Sequence, residues 1–166
     1  MNAEIESPIV WIINAMEKLP EIELITPQQK QMVWKTWEKI VPIADTAADL
    51  FYSRLFEIDP DVKTLFAKSD MSTQKTKLIQ TLASAISCLD STETLKPLLV
   101  DLGRKHADYG VVASHYETVG SALLWTLEQG LGEDWTPEAA AGWTAAYIFI
   151  AETMQSGANT PPVTDT

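Results

Sequence analysis

A single cysteine, two histidines and twelve basic residues set against twenty-three acidic ones leave this 166-residue chain without the means for several kinds of chemistry. Cys88 has no second thiol with which to close an internal disulfide or grip a metal, so it reads as a small buried or half-buried hydrophobe. A formal net charge of −11 excludes nucleic acid, whose phosphates such a surface repels and whose binders carry a basic stripe. No apolar run approaches the roughly 20 residues that span a bilayer. Residues 1–7 hold Glu4 and Glu6 and no base, so they lack the positive start of a secretory leader, and a cytoplasmic protein is expected. Strand patterning is absent too: no convincing stretch alternates apolar and polar residues with period two.

What remains, with 46% of the residues hydrophobic, suffices for one domain with a real core. Every ordered stretch reads as helix. Thr26, Pro27 and Gln29 supply a cap, a first-turn proline and a capping-box partner, and they lead to Val33, Trp37, Ile40 and Val41 on one face before Pro42 ends the helix. A second helix carries Phe51, Tyr52, Leu55 and Phe56, after which Asp59-Pro60 opens a short turn toward Leu65 and Phe66. Beyond a Ser69-Asp70 loop, Leu78, Leu82, Ala85, Ile86 and Leu89 define another amphipathic helix. The next spans about 92–109 and stops at Gly110. Ser114 and Glu117 predict a second capping box for a helix bearing Tyr116, Val119, Leu123 and Leu127, halted at Gly130 and Gly132. Thr136-Pro137 starts the last, with Trp143, Tyr147, Ile150 and Met154 along one side, and from Ser156 the periodicity is lost. Residues 1–24 stand apart, with Ser7-Pro8 capping a short helix of Ile9, Trp11, Ile12, Ile13 and Met16 that either packs across the core or binds a second copy or a partner.

One residue breaks the pattern. Leu95, Leu98, Leu99 and Leu102 fall on one helical face, and His106 is the next member of the series, where another large hydrophobe would be expected. A histidine turned toward a core must satisfy two ring nitrogens. Ordinary hydrogen bonds do this in most buried histidines; a metal on one nitrogen and a backbone or hydroxyl acceptor on the other does so completely. The stripe alone leaves both readings open.

Four stretches carry a resemblance. They are Trp-Lys-Thr-Trp-Glu-Lys-Ile from Trp34, Leu-Phe-Tyr-Ser-Arg-Leu-Phe at 50–56, the segment from Pro60 to Phe66, and Leu-Gly-Arg-Lys-His-Ala-Asp-Tyr-Gly-Val at 102–111. Together they resemble bacterial single-domain globins of the flavohaemoglobin and neuroglobin-like lineage, over roughly residues 25–155. The resemblance implies an all-α globin fold, a three-over-three helical sandwich, with residues 1–24 as an extension bearing an extra short helix and 156–166 as a flexible tail. It implies haem b, with His106 as the iron ligand through Nε2 and its Nδ1 proton directed at the carbonyl near Leu102. Phe66 then matches the aromatic that wedges against the porphyrin. Leu78, Leu102, Lys105, Val111, Tyr116 and Val119 match pocket positions. Tyr52 and Gln74 match the two positions that donate to a bound gas, and Lys77 matches a propionate partner that a neutral amine could turn into a sixth iron ligand. His115, at the start of the following helix, is expected to be solvated.

Reversible binding of O2, NO or CO follows from the resemblance, with NO oxidation where an external reductase supplies electrons, since no flavin domain is expected here. The glutamate that flavohaemoglobins set near the proximal tyrosine falls near Ala158, which puts a charged push on iron in doubt. A gas or redox sensor acting through residues 1–24, with a homodimer through the N-terminal helix, is the alternative. A haem-free fold or a bilin carrier attached at Cys88 is the third reading, and the combined presence of His106, Phe66, Tyr52 and Gln74 argues against it.

Overall fold

The computed structural model describes residues 25–159, so the helix expected within residues 1–24 and most of the expected tail lie outside the described residues. Thr26 starts the first helix as the sequence predicts: its hydroxyl accepts from the Gln29 N–H at 3.1 Å while its own N–H donates to Gln29 Oε1 at 2.9 Å. This helix is α1 (Pro27–Ile40). It is followed by α2 (Ala44–Ile58), α3 (Met71–Ser87), α4 (Thr92–Asp108), α5 (Ala113–Leu131) and α6 (Pro137–Ala158), with 3-10 turns at Val41–Ile43, Pro60–Phe66 and Gly132–Asp134. Asp59, Asp70 and Thr136 cap the Pro60–Phe66 turn, α3 and α6 through their side-chain oxygens. Among the described residues there is no strand, and no helix is long and apolar enough to cross a membrane.

The helices form two layers of three, with α1, α3 and α4 across α2, α5 and α6. The most extensive packing is α4 along α6, followed by α1 on α6 and α2 on α5. Val33, Ile40, Leu55, Leu89, Leu95 and Leu127 are essentially sealed between them. Several donors buried at this interface are matched. The Trp143 Nε1–H reaches Thr36 Oγ1 at 2.8 Å, Thr36 passes its own proton to the Met32 carbonyl at 2.7 Å, and Trp34 Nε1–H donates to the Ile86 carbonyl at 2.7 Å.

Five sequence expectations need correction. Val41 is 53% exposed rather than on the buried face of α1, because Pro42 lacks an N–H and the chain tightens into a 3-10 turn there, rotating Val41 outward. Leu98 is 57% exposed. The buried line of α4 runs through Leu95, Leu99 and Gly103, drifting away from Leu98 because four residues exceed one helical turn. The Ser114 cap does not form: α5 begins at Ala113, and His115 accepts the Val112 N–H on Nδ1 at 3.0 Å while its own N–H returns to the Val112 carbonyl at 3.0 Å. His115 is therefore a half-buried capping group, not a solvated one. Finally, α6 continues past Ser156 to Ala158, with Gly157 buried against α4.

Candidate functional site

The site is built on α4. His106 is half-buried near its end, and Nδ1 lies 2.8 Å from the Leu102 carbonyl one turn earlier. A carbonyl can only accept, so this bond places the ring proton on Nδ1 and leaves the Nε2 lone pair unengaged by any described residue. No group of three or more His, Cys, Asp or Glu residues that could chelate a metal occurs among the described residues. A single imidazole suits a metal whose other positions are filled by a prosthetic group, as the iron of haem is.

A second wall comes from α2 and the turn that follows it. Tyr52 is 7% exposed, and its ring meets Phe66 edge-on at 5.6 Å, with Phe56 5.7 Å from Phe66. Phe66 is delivered by the Asp59-capped Pro60–Phe66 turn, whose Leu65 reaches Gly110 at the end of α4. Gly110 has φ +96, a conformation glycine adopts without strain, so the turn out of the His106 helix depends on it. The Tyr52 hydroxyl donates to the Gln74 carbonyl at 3.5 Å, a bond at the limit of useful length. Gln74 itself sits in the first turn of α3, where its N–H donates to the Asp70 carbonyl and its side chain is half-buried.

The other expected pocket residues share one property. Phe66, Leu78, Leu102, Val111 and Val119 are packed on the core yet only partly buried, a pattern that suits the covering of a large apolar group. Tyr116 is buried, and its hydroxyl has no hydrogen-bond partner among the described residues. Lys77 and Lys105 are exposed, and Lys105 pairs with Asp101 at 3.1 Å. Phe56 belongs to the aromatic wall, although its helical position alone suggested only packing. The unengaged Nε2 of His106, the partly buried apolar residues and the orphaned Tyr116 hydroxyl are a set that fits a haem.

Burial pushes the Tyr52 phenol up to about 12 and raises Tyr116; Tyr147 is raised by burial first and then by the nearby Tyr116 charge. The Tyr147 hydroxyl donates to the Tyr116 carbonyl at 2.6 Å. All three phenols hold their protons more tightly folded than unfolded. Their contribution to stability is thus complete below pH 10, the unfolded value, and is lost as pH rises toward 12 and beyond. Denaturant midpoints should stay level up to about pH 10 and then fall, with Tyr52 alone responsible for about 2–3 kcal/mol. A Tyr52→Phe protein with the same alkaline slope as the parent would contradict this.

A family model described as Globin matches residues 49–154. Neuroglobin from Danio rerio is 30% identical over 155 residues, covering 86% of this chain and 94% of that protein, and neuroglobin from Chaenocephalus aceratus is 29% identical over the same shares. A solved structure described as a hexacoordinated heme protein from an anhydrobiotic tardigrade superposes with a TM-score of 0.73 at 19% identity, covering 87% of this chain and 99% of that one.

Proposed function

Because this chain belongs to the globin family, we propose that it is a haem-b protein that reversibly binds a diatomic gas such as O2, NO or CO. The observation that carries the reading is the 2.8 Å contact from His106 Nδ1 to the Leu102 carbonyl, which presents Nε2 as a neutral, oriented ligand. Haem iron supplies the gas-binding chemistry when bound. His106 would hold it, and Phe66, Leu78, Leu102, Val111 and Val119 would cover it and exclude water. Tyr52 and Gln74 would serve a bound gas as donors, the weak Tyr52 bond to the Gln74 carbonyl leaving that hydroxyl ready for a better acceptor.

Exposure of Lys77 supports pairing with a propionate over ligation of iron, and Lys105 serves the same rim. A histidine at the sixth position is not offered by α3: the chain has two histidines, and His115 is occupied at the α5 cap. NO oxidation is the subordinate reading. Tyr116 has no hydrogen-bond partner among the described residues, the flavohaemoglobin glutamate position falling near Ala158, and repeated turnover would draw electrons from an external reductase.

An absorption spectrum of the purified protein tests the proposal. A Soret band with distinct ferrous, oxy and carbonyl forms is expected, and a protein reconstituted with haemin that shows none would sink it.

A further inference from the structure

Gly103 stands three residues before His106 and is the last buried residue of α4, whose only other buried positions are Leu95 and Leu99. A Cβ at Gly103 would lie 1.8 Å from the Met154 carbonyl oxygen and 2.7 Å from the Met154 Cα. The reciprocal contact is on α6: a Cβ at Gly157 would lie 2.0 Å from the Val100 carbonyl oxygen and 2.8 Å from its Cα. Residues 100–103 and 154–157 therefore press main chain against main chain over about one turn of each helix. No rotamer relieves either contact, because what the added carbon meets is backbone. Glycine is a poor residue for a helix interior, so one in each helix, each turned to the other helix's backbone, calls for a reason beyond helix formation.

The reason lies in what α4 carries. Beyond Leu99 its side chains are half-buried or exposed, so this crossing anchors the end of the helix that holds His106. The imidazole is in turn aimed by the Leu102 carbonyl, which belongs to the pinned turn.

We propose that Gly103 and Gly157 are positioning residues for His106: by letting α4 and α6 touch through their backbones, they fix how far Nε2 reaches into the pocket. This inference rests on the haem reading above. Widening the crossing by one methyl moves the ligand-bearing turn bodily, which changes the tension of the iron–histidine bond.

The test uses Gly103→Ala and Gly157→Ala in the haem-loaded full chain, with Gly142→Ala as the control. Gly142 lies on α6 where a Cβ would meet the Gln29 carbonyl of α1 at 3.0 Å, so it perturbs α6 without touching α4. Two readouts are taken: the iron–histidine stretching band in the ferrous protein, and the rate of haem transfer to excess apomyoglobin. Gly103→Ala is expected to shift the band and speed haem loss about tenfold or more, as changes around a metal ligand do. Gly157→Ala should act in the same direction but less, because the last turn of α6 can fray to relieve the clash. That fraying also keeps Gly157→Ala folded, so it decides the matter alone if Gly103→Ala does not fold. The control should lower the melting temperature and leave both readouts at the parent's values. Parental band position and haem-loss rate in the crossing variants, whatever their melting temperatures, overturn the inference. Absence of a Soret band in the reconstituted parent overturns the haem reading instead.

Discussion

His106→Ala abolishes the Soret band, or weakens haem retention by at least about a hundredfold, while leaving the helical content of the protein unchanged. The size of the effect follows from the donor set: the sequence has one other histidine, His115, and its Nδ1 is taken up by the Val112 N–H at the start of α5. The fold should tolerate the change, because the ring is half-buried and its one hydrogen bond runs to a carbonyl of its own helix, while alanine is the better helix former. Free imidazole added to the variant should restore the band by filling the space the ring vacates. Haemin titration followed by absorption, with circular dichroism on the same samples, checks both halves. A full-strength band without added imidazole would move the ligand role elsewhere and leave His106 an ordinary, locally satisfied histidine.

Tyr52→Phe should raise the O2 dissociation rate by about 10–100-fold, the range expected when a hydrogen bond to a group bearing charge is lost. CO draws less negative charge than O2, so its dissociation should change far less, which separates loss of a donor from a change in pocket shape. The phenyl ring retains the packing on Phe51, Phe56 and Phe66, so shape is nearly conserved. With the phenol pushed up to about 12, Tyr52 stays protonated across the neutral and mildly alkaline range, and the parent's O2 off-rate should be flat there. Stopped-flow measurement of both gases at two pH values is sufficient. An unaltered O2 off-rate in the variant would mean that Gln74 acts alone.

Much of the architecture was legible because it rests on local chemistry. The Thr26 capping box, the Asp59-Pro60 turn, the Gly110 stop and the Thr136-Pro137 start each involve residues within one turn of one another, and each forms. His106 was conspicuous for the same reason, and its bond to Leu102 spans a single turn. Errors arose where one local pattern displaced another, or where the contact joins distant parts of the chain. Ser114 and Glu117 have the right spacing for a cap, yet His115 takes that role because α5 starts earlier. The glycine crossing had no sequence signature, since a pair separated by more than fifty positions is visible only once α4 and α6 lie together. Phe56 was likewise hidden: its place beside Phe66 depends on how the chain folds back at Pro60.

The anchoring of α3 divides it in two. Its buried residues, Ala85 and Ile86, lie at its far end, where Trp34 also bonds to the Ile86 carbonyl. The opening turns, with Gln74 and Leu78, lean on α2 through the long Tyr52 contact and the Lys75–Asp49 ion pair at 2.8 Å, half in water. Free energy of local opening follows buried apolar contact, so these turns are the cheapest part of the helical pair to lift. The two helices that carry the candidate site therefore differ in stiffness: α4 is locked along touching backbones, whereas the opening turns of α3 part from α2 at the least cost.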